Sequence, residues 1–125
     1  MILELKVEGI GNEACAIVKR TGFPGPLIYA SFLMPELQRV RQTDPDAKIM
    51  VLQHRRLPPD PVADVVALDA SHVGLHFSTV TPMLLQTYHN LGRQVFVYTV
   101  NEPQDIQRMR NLGVDGIISD FPDRI

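Results

Sequence analysis

Six short apolar runs recur along the chain, separated by segments of helical periodicity: ILELKV (2–7), LIYASF (27–32), KIMVLQ (48–53), HVGLHF (72–77), QVFVYTV (94–100) and GIISDF (116–121). From Phe32 onward the run ends, at Gln53, Phe77, Val100 and Phe121, fall 21 to 24 residues apart. That interval holds a strand, a loop, a helix and a second loop, the repeating unit of a parallel sheet. The runs are predicted to be six β-strands joined by right-handed helical crossovers.

The intervening helices carry boundary signals. Thr81 is placed to cap a helix beginning at Pro82, with Leu84, Leu85, Tyr88 and Leu91 as its apolar stripe and Gly92 closing it. Asn101 is expected to cap the next helix with Gln104 as capping partner, and Ile106, Met109 and Leu112 precede the terminating Gly113. Ala14, Ile17 and Val18 form an earlier stripe beside Cys15, and Leu37 and Val40 form another ahead of Asp44-Pro45. The proline-rich stretch 55–64 reads as a loop, followed by a short helix within 62–70. Two closures suit such units, an open doubly wound sheet or part of a (β/α)8 barrel, and 125 residues suit the first by length because a whole barrel takes about 250.

Composition narrows the class. With 45% hydrophobic and 21% charged residues in 125, the chain is expected to be one folded domain spanning 1–125. Twelve Lys and Arg against 14 Asp and Glu give a net charge of −2, which argues against nucleic acid as a partner. Cys15 is the single cysteine and fits a reducing compartment, the start MILELKVEG lacks signal-peptide character, and no apolar stretch approaches a span of about 20 residues. A soluble, cytoplasmic protein is the expectation.

Candidate chemistry begins in LELK, where the strand period of two puts Glu4 and Lys6 on the face opposite Leu3 and Leu5. If the leucines pack under helices, the two charges enter the opposite space, where they need a counter-charge, a metal or a phosphate; on an edge strand they would simply face solvent. Polar residues gather at the other strand ends: Ser31, Gln53 and His54, Thr99 and Asn101, Ser119 and Asp120. In parallel α/β folds that C-terminal rim is where ligands bind. His72 and His76 have the spacing of a zinc-binding helix but fall in a predicted strand with Gly74 between them, so they do not make that motif. His54 with Arg55 and Arg56 reads as an anion grip or a solvated loop, His89 as a surface residue near a helix end, and Cys15 as a small core residue. Neither a GxSxG elbow nor a glycine-rich phosphate loop is present.

LELK, YASF, VFVYTVN and GVDGIISDFPDRI, in this order, resemble the later part of glycerophosphodiester phosphodiesterases, whose comparable strands commonly end in Glu-x-Lys, Ser-Phe, Trp-Thr-Val-Asn and Thr-Asp-x-Pro. The resemblance runs from about residue 2 to residue 125. It implies a (β/α)8 barrel that hydrolyses glycerophosphodiesters to glycerol 3-phosphate and an alcohol with a divalent metal, Mg or Ca, and a pair of histidines. It implies further that Glu4 is a metal ligand, that Lys6 contacts the substrate phosphate, and that Phe32 and Tyr98 belong to the substrate-binding wall, Tyr98 standing where the family usually has Trp. Ser119 replaces the usual Thr. The family's His-Arg-Gly, Pro-Glu-Asn-Thr, Glu-x-Asp and His-Asp strings do not occur in this sequence, so no catalytic residue is assigned to it and the histidine pair is missing.

The leading expectation is therefore an α/β partial barrel, strands three to eight of a glycerophosphodiester phosphodiesterase-type enzyme acting in glycerol and lipid metabolism. Alone it is expected to turn over weakly or not at all, and to self-associate or fray at unpaired strand edges. The alternatives are a non-enzymatic phosphate-ligand binding domain on a barrel remnant and an unrelated open-sheet α/β domain.

Overall fold

The computed structural model describes residues 2–6, 9–22 and 25–125, the side chain of Asn12 excepted; Val7, which ends the first predicted run, lies outside them. All six predicted strands form: β1 (Ile2–Glu4), β2 (Ile28–Ser31), β3 (Lys48–Leu52), β4 (His72–His76), β5 (Gln94–Tyr98) and β6 (Gly116–Ile117). Between them lie α1 (Gly11–Thr21), α2 (Met34–Thr43), α3 (Ala63–Ala67), α4 (Pro82–Asn90) and α5 (Pro103–Leu112). The sheet order is β1-β2-β3-β4-β5-β6, and every pairing is parallel. A doubly wound sheet requires the order to reverse at a switch point. Sequential order instead sends every right-handed crossover over the same face, and the sheet curls into part of a barrel. The open-sheet alternative is thereby set aside.

Alternation along the strands separates two layers. Leu5, Tyr29, Ile49, Val51, Val73, Leu75, Val95 and Val97 point outward and join Cys15, Leu37, Val40, Val65, Leu85, Tyr88, Ile106 and Met109 from the helical side in one large core. The inner face holds a smaller cluster of Ala30, Met50 and Leu52 with Ile28, Phe32 and Phe96 against it. Burying one Leu, Ile or Val stabilises by about 1.5–3 kcal/mol, so the sheet–helix layer supplies most of the driving force and the inner face is free to be shaped for other purposes. Two glycines show how tightly that inner face is packed. A Cβ on Gly74 would lie 2.5 Å from Leu52 Cδ2, and one on Gly116 would lie 2.7 Å from the Phe96 ring. Their neighbours therefore occupy the space that side chains would need.

Local signals are obeyed where a backbone group had no better partner. Thr81 caps α4, its hydroxyl accepting from the Leu84 N–H at 3.1 Å. Gly113 closes α5 in the left-handed conformation at φ 91°. Two apolar positions depart from the predicted stripes: Ile17 and Leu91 are 48% and 43% exposed, while Tyr88, a stripe residue, and Cys15, beside its stripe, are fully buried and anchor those helices. The departure at Asn101 is larger. The residue preceding α5 is Glu102, which makes no side-chain cap, and Gln104 forms no capping box. Asn101 instead holds the exit of β6. Its Oδ1 accepts from the Ser119 hydroxyl at 3.1 Å and the Asp120 N–H at 3.0 Å, while its Nδ2 donates to Asp120 Oδ2 at 3.1 Å. Arg124 adds a bond to the Asn101 carbonyl at 2.9 Å and lies over the Phe121 ring. The tertiary partner offers several bonds where a cap offers one.

Two charged side chains, one buried and one half-buried, cross-link elements. Glu36, fully buried in α2, accepts from the Gly11 N–H at 2.9 Å and pairs with Arg39 at 3.0 Å, joining α2 to the start of α1. Backbone N–H groups of Gly9 and Gly11, together with the Arg39 guanidinium, hold its carboxyl below the ordinary range against the opposing effect of burial. Arg41 donates to the carbonyls of Pro45, Ala47, Leu68 and Asp69, fastening the α2–β3 and α3–β4 connections together. Among the described residues, no helix is long and apolar enough to cross a membrane.

Two predictions follow the packing. Burial pushes the Tyr29 phenol up and the Tyr88 phenol up to about 12 from the ordinary value of 10. Stability should fall as pH rises past 10, because the unfolded chain then releases tyrosine protons that the folded one keeps. Tyrosinate absorbance from these two rings should accordingly rise with unfolding in an alkaline titration, and a rise near pH 10 with the far-ultraviolet dichroism intact would contradict it. Asn101→Ala should cost about 1 kcal/mol in denaturant unfolding and raise amide exchange at residues 119–121, whereas loss of a mere helix cap would raise it in the first turn of α5.

Candidate functional site

Four of the six strands, and the residue that follows β6, contribute to a cavity of about 170 Å³ on the inner face. β1 supplies Ile2 and Glu4; β2 and the residue following it supply Ala30 and Phe32. Met50 and Leu52 come from β3, Tyr98 and Thr99 from the end of β5, and Ile118 from the exit of β6. The alternation that turns Leu3 and Leu5 toward the helices turns Glu4 inward, and strand register sets it beside Ala30 of β2. Of the described residues lining the cavity, Glu4 carries the ionisable carboxylate, surrounded mainly by apolar groups. A wider hollow of about 500 Å³ over α5, lined by Gln104, Gln107, Arg108, Asn111 and Leu112, shares no residue with it and has an unremarkable polar lining.

Aromatic side chains shape the mouth. Phe32 meets Tyr98 edge-on at 5.9 Å between centroids, and His54 stacks on Phe32 at 4.2 Å. His76, in register with Tyr98 on the neighbouring strand, meets that ring edge-on at 5.8 Å and stacks on Phe77 at 4.9 Å. The Tyr98 hydroxyl donates to the Gln53 carbonyl at the end of β3, tying β5 to β3 across the intervening strand. Burial, and behind it the negative charge of Glu4, pushes the Tyr98 phenol up. It is a neutral donor and a rigid wall rather than a base.

The sequence-predicted residues distribute unevenly over this geometry. Glu4, Phe32 and Tyr98 come together around one cavity. Lys6 lies two residues past Glu4, exposed at the end of the β1 segment and outside the cavity lining. Ser31 turns the other way and is buried; its hydroxyl donates to the Leu5 carbonyl at 2.6 Å, holding β1 to β2 beyond the end of their strand pairing. The histidines do not assemble into a metal site. His72 is buried low on the inner face, its Nδ1 against the Ser71 hydroxyl at 2.6 Å, and burial holds its pKa below the ordinary value. His89 pairs with Asp115 at 2.7 Å. Among the described residues, no group of three or more His, Cys, Asp or Glu could hold a metal ion.

Sequence reasoning passed over the stacking of His54 and the two-sided packing of His76. His76 falls on the same strand face as His72 and pairs in register with Tyr98, so alternation foreshadowed its direction; His54 was marked by its place at a strand end, but its stacking on Phe32 from a loop has no local signal. The His76 tautomer is set locally. Its Nδ1 accepts from the Ser78 N–H at 3.2 Å, which leaves the proton on Nε2 in the neutral ring.

Comparison with known proteins agrees with this architecture. A curated glycerophosphodiester phosphodiesterase of Caldanaerobacter subterraneus subsp. tengcongensis is 28% identical over 117 residues, covering 94% of this chain and 48% of the relative. The solved structure of a protein assigned as a glycerophosphoryl diester phosphodiesterase from Silicibacter pomeroyi superposes with a TM-score of 0.87 at 32% identity, over 98% of this chain and 47% of that one. An Oleispira antarctica phosphodiesterase solved in complex with the product sn-glycerol-3-phosphate shares the fold, with a TM-score of 0.84 at 22% identity over 100% of this chain and 53% of that one. The chain thus spans about half the length of the relatives it matches. The model of the glycerophosphoryl diester phosphodiesterase family matches residues 3–124, and on that match the chain belongs to this family.

Proposed function

We propose that residues 1–125 form a single domain, the C-terminal portion of a glycerophosphodiester phosphodiesterase barrel, whose chemistry is hydrolysis of a glycerophosphodiester to glycerol 3-phosphate and an alcohol. The observation that carries this reading is the convergence of Glu4 of β1, Phe32 just after β2 and Tyr98 of β5 on one inner-face cavity in a chain of this family. Phe32 and Tyr98 offer apolar faces for the glycerol carbons, and Tyr98 is oriented by its bond to Gln53. Lys6, exposed just beyond Glu4, supplies a cation for the phosphate, where charge builds during diester cleavage. A role in glycerol and lipid metabolism follows from such a substrate, and the single cysteine fits a reducing compartment such as the cytoplasm.

A divalent metal, Mg or Ca, would polarise the phosphate and lower the pKa of an attacking water. The described residues do not by themselves fit such an ion: Glu4 contributes a single carboxylate, and no cluster of ligands surrounds it. Glu4 is therefore proposed as one ligand of a site completed by groups from outside this chain. The general acid and base are likewise assigned outside it. A binding domain without turnover is the second reading, favoured by the mainly apolar wall around that lone carboxylate.

The chain by itself should release no glycerol 3-phosphate from glycerophosphocholine with Mg or Ca, measured by a coupled assay. Supplying a segment that carries the family's first two strands should restore metal-dependent release. In that reconstituted barrel Glu4→Gln should abolish the metal-dependent release and Lys6→Ala should lower kcat/KM roughly 100-fold. Saturable glycerol 3-phosphate binding with no release in the reconstituted barrel would support the binding domain instead.

Among the described residues, β1 and β6 each have a strand neighbour on one side. We propose that these open edges drive association. Sedimentation of the purified chain should show a concentration-dependent rise in mass, and a monomer with amides protected along both outer edges would contradict it.

A further inference from the structure

His76, the last residue of β4, is held through both its backbone and its ring. The chain leaves the strand in a short 3-10 turn, Phe77–Thr79. The Thr79 hydroxyl donates to the His76 carbonyl at 2.8 Å. On the ring, Nδ1 accepts from the Ser78 N–H at 3.2 Å and lies 2.7 Å from the Ser78 hydroxyl. Phe77 stacks on the imidazole, and Tyr98 meets it edge-on.

The turn needs only an acceptor at this position, which a short polar side chain such as Asn supplies as well. Imidazole adds a second, opposite function. With Nδ1 engaged as an acceptor, the neutral ring carries its proton on Nε2, and that N–H has no partner among the described residues. The ring is half-buried and stands on the inner face, in register with Tyr98 of the cavity wall. Tyr98 has already committed its own hydroxyl to the Gln53 carbonyl. His54, on the other side of the mouth, stacks on Phe32 with no hydrogen bond to fix its tautomer, so His76 is the imidazole whose donor is oriented in advance.

We propose that His76 is a binding residue for the substrate phosphate, its Nε2–H donating to a non-bridging oxygen, and that Ser78 is its positioning residue. The proposal rests on the phosphodiester reading above and adds to it a donor that this chain supplies without a metal. A phosphate oxygen is a charged acceptor, and a hydrogen bond to it is roughly twice as strong as one between neutral groups. A ring already fixed in place loses little rotamer freedom when the bond forms. β4 is separated from β1 by two strands, so this donor and the Glu4 carboxylate reach the phosphate from different walls of the curled sheet.

The experiment is a heteronuclear NMR titration of the purified chain with glycerol 3-phosphate, and with glycerol as the probe that lacks a phosphate. Glycerol 3-phosphate should shift the Tyr98 ring signals and the His76 Nε2 resonance, whereas glycerol should leave Nε2 in place. His76→Asn, which keeps an acceptor for the Ser78 N–H, should weaken glycerol 3-phosphate binding about tenfold with amide exchange at Ser78 unchanged. Ser78→Ala should weaken it about threefold, and the two imidazole nitrogen shifts should then report a mixture of tautomers. Unaltered affinity in His76→Asn, or Tyr98 shifts with none at His76 Nε2 in the unsubstituted chain, would overturn the assignment and leave His76 a turn cap, with the phosphodiester reading standing. Silence at Tyr98 and His76 together would overturn both.

Discussion

Parallel pairing in strict chain order is the constraint on which the rest of this structure depends. Each strand must be followed by a crossover of the same hand, and with no reversal of order every crossover lands on the same face. The sheet is then asymmetric: one face is buried under helices and the other curves around an interior. Leucine, isoleucine and valine accumulate on the first face, and a carboxylate, two histidines and a set of aromatic rings are admitted on the second. A doubly covered sheet would have left Glu4 in an apolar layer, where an unpaired carboxylate is not tolerated.

That asymmetry also separates stability from recognition. The outer layer contains most of the fully buried side chains, and its cross-links, Glu36 to Gly11 and Arg41 to four carbonyls, bind helices and connections rather than the site. The rim is held by different bonds. Ser31 fixes the end of β1 to β2, Tyr98 fixes β5 to β3, and Asn101 fixes the exit of β6. Each joins groups at the C-terminal edge of the sheet, so that edge keeps its shape where loops would otherwise fray. Residues that present as functional by position at this rim, Ser31 and Asn101 among them, are engaged in keeping it rigid for their neighbours.

A chain that covers about half of its relatives yet contains six parallel strands carries a well-formed scaffold and a portion of a site. The aromatic wall, formed by rings that contact one another directly, is complete enough to be recognised as a surface. Charge is less self-sufficient. Among the described residues Glu4, exposed on the edge strand β1, makes no ion pair and belongs to no cluster of metal ligands; its charge helps burial to raise the phenol of Tyr98.

The strand count, the strand positions, the placing of Glu4 on the face opposite Leu3 and Leu5, and the burial of Cys15 were determined by sequence, because alternation and helical spacing are local regularities that a chain displays before it folds. Thr81 was legible for the same reason: its hydroxyl serves an N–H three residues away. Only tertiary structure decided between an open sheet and a curled one, since strand order is a statement about neighbours and local pattern is the same for both. It also decided the fate of Asn101, which abandons a local cap for partners at Ser119 and Asp120, and of Gln53, whose carbonyl meets a ring 45 residues away. Interactions within one turn or one strand can be read from spacing. Those that close across the sheet depend on curvature, which comes into being only when all the strands are paired.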